Sequence, residues 1–81
     1  MEIKVLGSGW AKCKTLEKLT REVVENNNIK ATVTKVEDIL AIMKYGVMST
    51  PALVVNEKVE VSGRIPSAGE IKTIILRAAG Q

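Results

Sequence analysis

The chain has 81 residues, 46% of them hydrophobic and 26% charged, with 12 Lys and Arg against 9 Asp and Glu for a net charge of +3. That is the composition of one small globular domain spanning residues 1–81, with Leu, Ile and Val filling a single modest core because phenylalanine is absent. One cysteine excludes an internal disulfide, the lack of histidine removes the usual general base and any ordinary zinc set, and dispersed charges with one Trp and one Tyr offer no stacking face for nucleic acid.

Residues 2–6 are a short apolar run ending in glycine, which predicts a buried strand. Residues 11–26 place Leu16, Leu19, Val23 and Val24 at helical spacing, with Glu17–Arg21 and Lys18–Glu22 as i, i+4 pairs on the opposite face. Asn26-Asn27-Asn28 ends this helix, since asparagine tolerates the left-handed conformation. Residues 29–36 are rich in β-branched residues and alternate, with Thr32 and Thr34 on a polar face that suits a strand near an edge.

Glu37 and Asp38 then open a short helix whose apolar positions are Val36, Ile39, Leu40, Met43 and Val47, with Gly46 as its stop. Thr50-Pro51 leads into a third strand at residues 52–55. Asn56-Glu57-Lys58 turns the chain, and residues 59–61 return as a fourth strand, so that 52–61 form a hairpin. Ser67 and Glu70 make a capping box for a last helix with Ile71, Ile74, Ile75 and Ala78 on its apolar stripe. The order is βαβαββα, an α/β domain. The helix between the first two strands makes them parallel, the hairpin strands are antiparallel, and helices fall on both sides of the sheet. No signal-peptide pattern and no apolar run of membrane-spanning length is visible, so a cytoplasmic protein without membrane contact is expected.

The first strand and the first helix are joined by Gly7-Ser8-Gly9-Trp10-Ala11-Lys12-Cys13. Three readings of this loop compete. As a phosphate cradle it is weak: Gly7-x-Gly9 begins a dinucleotide fingerprint, but Lys12 stands where the next glycine belongs and no Gly-Lys-Ser/Thr follows. As a redox loop of the C-x-x-C kind, Cys13 fits the second cysteine and Trp10 stands in place of the first. In the plainest reading Cys13 is a small buried hydrophobe and the glycines only turn the chain. The loop by itself leaves the last two open. Lys12, Lys14, Lys18 and Arg21 flank it, and with the helix N-terminus Lys12 and Lys14 would favour a thiolate at Cys13.

The element order, together with Gly7-x-Gly9, Ala11-Lys12-Cys13, Leu16-Glu17, Thr50-Pro51-Ala52-Leu53, Val61-x-Gly63-Arg64 and Glu70-Ile71, resembles the thioredoxin fold. Within that fold it is similar to the small thioredoxin-like, glutaredoxin-like proteins often called redox-active disulfide proteins. The resemblance covers nearly the whole chain and implies a four-stranded mixed sheet flanked by three helices. In that family a cysteine stands at the position of Trp10 and attacks the substrate disulfide, and a second cysteine, matching Cys13, resolves the mixed disulfide. The resemblance further implies that Pro51 is cis beside Cys13 and that the backbone before Pro51 pairs with a bound peptide or thiol. On this basis Cys13 and Trp10, the latter at the position of the missing nucleophile, are the catalytic positions, and Gly9, Ala11, Lys12, Thr50, Pro51 and Gly63 are the substrate-binding ones.

No metal or other cofactor is implied. Partners are a protein or small-molecule thiol or disulfide, a thioredoxin reductase-like donor among them, and a monomer is expected. Tryptophan has no thiol, so the two-cysteine cycle cannot run in its usual form. Four accounts of Trp10 stand: a substitution made to study an active protein, a monothiol protein using Cys13, a family member kept as a binding module, and a side chain that merely covers apolar surface. The expected function is thiol–disulfide exchange with an incomplete cysteine pair, W-x-x-C, at most monothiol or impaired. The alternative is a non-catalytic module that binds a peptide or partner.

Overall fold

The computed structural model of the chain describes residues 1–7, 11–47 and 49–80. Its elements are β1 (Glu2–Leu6), α1 (Ala11–Asn26), β2 (Thr32–Val36), α2 (Ile39–Lys44), β3 (Ala52–Val55), β4 (Lys58–Ser62) and α3 (Ala68–Ala78). The strands form one sheet in the order β2-β1-β3-β4. β1 runs parallel to β2 and antiparallel to β3, and β3 pairs antiparallel with β4. This is the α/β, thioredoxin-like architecture that the sequence pattern and the resemblance predict.

The side-chain alternation of β1 separates two apolar layers. Ile3 and Val5 point to a core shared with Cys13, Leu16 and Val23 of α1, Leu53, Val55 and Val61 of the hairpin, and Ile71 and Ile75 of α3. Leu6 points to the other face, where it meets Ile42 of α2 with Ala52 and Val54 of β3. β3 is buried at all four positions, as a central strand covered on both faces must be. β2 lies at an edge, with Val33 packed on the larger core and Thr32 and Thr34 exposed.

Local chemistry sets the boundaries. α1 ends in a two-bond cap: Asn28 is left-handed at φ 51°, Ile29 N–H donates to the Val24 carbonyl at 3.0 Å, and Asn28 N–H donates to that of Glu25 at 3.2 Å. Ile29 is thereby drawn into the helix cap, and the second strand starts at Thr32 rather than at residue 29. The buried stripe of α1 is Cys13, Leu16, Thr20 and Val23. Thr20 is included because its hydroxyl donates to the Leu16 carbonyl at 2.7 Å and needs no water. Arg21 pairs with Glu17 at 2.9 Å, whereas among the described residues Lys18 and Glu22 make no ion pair.

Two further expectations are corrected. Ile39, Leu40 and Met43 of α2 are 63%, 70% and 64% exposed, and Ile42 is the residue that enters the core. The cause is the phase of a six-residue helix anchored at both ends. Asp38 caps it by accepting from Leu40 N–H at 3.1 Å, and Tyr45 beyond its C-terminus hydrogen-bonds to Lys4 of β1 at 2.8 Å. Turning Ile42 and Tyr45 toward the sheet leaves the other apolar side chains outside. The second correction is at α3. Ser67 Oγ accepts from Glu70 N–H at 3.2 Å, but the Glu70 carboxylate pairs with the Arg64 guanidinium instead of reaching back to the cap. A charged fork offers a stronger bond than a second backbone amide.

Candidate functional site

The site is assembled at the end of the sheet where β1 and β2 both finish. Parallel pairing sets Val5 beside Lys35 and Leu6 beside Val36, and Gly7 N–H continues the ladder to the Val36 carbonyl at 3.0 Å. Gly7 has φ +152°. A Cβ placed on it would lie 3.3 Å from Cys13 Sγ and 3.4 Å from Thr50 Cβ. Both the backbone conformation and the space therefore require glycine. Gly7 is the point at which the first strand, the first helix and the turn before β3 converge.

Cys13 occupies the third position of α1 and is 1% exposed. Its thiol donates to the Gly7 carbonyl across 3.5 Å. Burial pushes its pKa upward from the ordinary value near 9.0; Lys35 pulls the other way, while Glu17 and Glu37 add to the rise. This reverses the expectation that Lys12, Lys14 and the helix N-terminus make it a stabilised thiolate. Desolvation of a charged sulfur outweighs those attractions. Lys35 is itself held by Glu37 at 2.8 Å, so much of its charge is spent locally.

The turn before β3 brings the second half of the site. The Thr50–Pro51 bond is cis, as the resemblance implies, and Pro51 is buried while Ser49 and Thr50 are exposed. Gly63, just beyond β4, donates to the Pro51 carbonyl at 2.9 Å. At φ +83° it carries its hydrogen where a Cβ would come within 3.1 Å of the Ser49 Cβ. Cys13, Thr50, Pro51 and Gly63 are thus gathered around Gly7 and Ser49. Ala11 and Lys12 are exposed in the first turn of α1. Gly9 and Trp10 lie outside the described residues.

Sequence reasoning missed Ser49, Lys35 and Glu37. The signal for the latter two was present. In a parallel pair, both C-terminal strand ends open on the same crevice, so a charge at the end of the second strand faces the loop after the first. The Lys35 bond is the main reason that the Glu37 carboxyl is held below the usual range, and the charge of Lys14 adds a smaller pull in the same direction. The flanking cations do not make a basic surface. Lys14, Lys18 and Arg21 share one face of α1 with Glu17, Glu22 and Glu25. Among the described residues, no helix is long and apolar enough to cross a membrane.

A family model described as a thioredoxin domain matches residues 1–76. A protein named thioredoxin from Methanothermobacter thermautotrophicus is 36% identical over 75 residues, covering 93% of this chain and 97% of that protein. Another protein named thioredoxin, from Methanocaldococcus jannaschii, is 33% identical over 70 residues, covering 86% of this chain and 80% of its own. With the strand order, the cis-proline turn and the glycine-covered cysteine, these matches over nearly the whole chain mean that it belongs to the thioredoxin-domain family.

Proposed function

We propose that the chain is a thiol–disulfide exchange protein with an incomplete cysteine pair, in which Cys13 acts alone and slowly. The family and the cysteine beside the cis-proline turn support the chemistry. The observation that sets its rate is the resting state of Cys13, with its thiol buried, protonated and bonded to the Gly7 carbonyl. Exchange requires a thiolate in line with a disulfide. The proton must leave and the sulfur must be uncovered before attack. The Cys13 thiolate then bonds to one sulfur of the substrate disulfide, and the other departs as a thiolate. With Trp10 in place of a second thiol, the mixed disulfide stays until an external thiol attacks it and restores Cys13.

A second reading is favoured by one feature. Ser49 and Thr50 are exposed on the approach to β3, where an extended peptide could lie against the backbone without any exchange. In that reading the domain is a partner-binding module and Cys13 is packing.

Alkylation separates the two. The native protein is treated with iodoacetamide across pH 6–11 and compared with the unfolded chain. Slow modification whose midpoint lies above ~8.5, the value for a free thiol, together with a glutathione adduct formed from oxidised glutathione, supports exchange at Cys13. Complete protection until unfolding supports the binding module.

A further inference from the structure

Beyond β4 the chain leaves the sheet at Gly63 and enters α3 at Ala68. The far end of this connection is pinned, because Pro66 is fully buried and Ser67 Oγ accepts from Glu70 N–H at 3.2 Å. The near end carries part of the site. Ala52 and Ser62 are the last paired residues at this end of the hairpin, and one step further Gly63 N–H donates to the Pro51 carbonyl at 2.9 Å. Among the described residues this is the one backbone bond outside the sheet ladder that holds residues 49–51. Gly63 also packs against Ser49, whose Cβ lies 3.1 Å from where a Cβ at position 63 would stand. The exposed Ser49-Thr50 backbone takes its direction from Gly63, and a glycine at φ +83° keeps no direction by itself.

Arg64, the next residue, is tied to α3. Its Nη1 donates to Glu70 Oε1 at 3.0 Å and its Nη2 donates to Glu70 Oε2, a two-bond fork that sets orientation as well as distance. Glu70 stands in the first turn of α3, one residue before Ile71, which is buried in the core that includes Cys13. A short path thus runs from the core to the turn through Ile71, Glu70, Arg64, Gly63 and Pro51. An ion pair whose side chains are 57% and 38% exposed adds little to global stability, so its effect is local.

We propose that Arg64 and Glu70 are positioning residues of the Cys13 site: their fork holds Gly63 against Pro51 and Ser49, and so sets the line of the Ser49–Thr50 backbone for an extended peptide. The proposal rests on the reading that a substrate or partner backbone lies against Ser49-Thr50. The pair acts through Gly63 and not on the sulfur.

The test compares two disulfides that share one leaving group. One is an extended peptide of about ten residues whose single cysteine is joined to thionitrobenzoate; the other is dithiobis(nitrobenzoate), which has no peptide backbone. In both, Cys13 loses its proton to the buffer and its thiolate bonds to one sulfur. The S–S bond breaks, and thionitrobenzoate departs as a thiolate that is read by its absorbance. Loosening that merely uncovers Cys13 speeds both reactions, so the ratio of the peptide rate to the small-disulfide rate reports backbone recognition. Arg64→Gln and Glu70→Gln should each lower that ratio about fivefold, and Arg64→Lys, which keeps the charge without the fork, should fall between. Amide hydrogen exchange gives a readout that does not use the thiol. Both glutamine variants should lower the protection of the Gly63 amide at least about tenfold while Leu53 and Val55 keep theirs. An unchanged ratio overturns the assignment, as do two rates that move together or a ratio that falls while Gly63 stays protected. If the unchanged folded chain releases no thionitrobenzoate from either disulfide, the exchange reading fails, and the Gly63 protection then decides this proposal alone.

Discussion

The sulfur of Cys13 fills the space that a side chain on Gly7 would need, and the thiol hydrogen points to the Gly7 carbonyl at 3.5 Å. The glycine and the cysteine are a single fitted pair: one has no Cβ because the other is there, and the other is shielded because the first is so small. Gly7→Ala should then lower stability by about 1–3 kcal/mol, from positive-φ strain and from contact with the sulfur. Combining it with Cys13→Ala should recover part of that loss relative to the sum of the single changes, because the sulfur is gone. Urea unfolding of the four proteins measures the coupling; strict additivity would deny it.

Cys13 also predicts an alkaline weakening of the fold. Its folded pKa is raised by burial above the ordinary 9.0. The folded state therefore holds the proton at pH values where the unfolded thiol has released it. The resulting stability is complete below about pH 9 and is lost as pH rises toward the folded pKa. Denaturant midpoints at pH 7, 9 and 10.5 should fall less for Cys13→Ala than for the unchanged chain.

Lys4, Tyr45 and Glu57 tie α2 to the sheet and to the β3–β4 turn. Lys4 Nζ lies 2.8 Å from both Tyr45 OH and Glu57 Oε1, and the tyrosine hydroxyl donates to Glu57 Oε2 at 3.0 Å. The bond from Lys4 is the main reason that the Glu57 carboxyl is held below its ordinary 4.5. The sign follows: this contribution is present above pH 4.5 and is lost as pH falls through the lower folded value. The protection of α2 amides, measured against the intrinsic exchange rate at each pH, should fall below pH 4 before that of the core strands. Glu57→Gln should lower that protection already at pH 7 and remove its further fall in acid.

Trp10→Cys tests whether the loop is a redox loop. Residues 10 and 13 have the spacing of a C-x-x-C pair. With oxidised glutathione, the two thiols should give one internal disulfide and two molecules of reduced glutathione. The oxidised variant should be two hydrogens lighter, regain them with dithiothreitol, and when reduced cleave the disulfides of insulin. The unchanged chain should give only a glutathione adduct. A variant that stays dithiol while folded under oxidant would favour the binding module.

The order of elements, the parallel first pair, the hairpin and the three helices are legible in the sequence, because each depends on local periodicity and on turn residues such as Gly7, Asn28 and Ser67. The cysteine, the Thr50–Pro51 turn and Gly63 were likewise visible as motif pieces, since their neighbours in the chain carry the pattern. Tertiary structure alone decided the rest. Whether Cys13 is a thiolate depends on how much water the fold removes from it, and burial beside Gly7 reversed the expectation drawn from nearby lysines. Which face of α2 turns inward was decided at a distance, by Tyr45 reaching Lys4 on another strand. A six-residue helix that is apolar on nearly every side has no periodic preference of its own, so only its long-range anchors could choose Ile42 for the core and leave Ile39, Leu40 and Met43 in solvent.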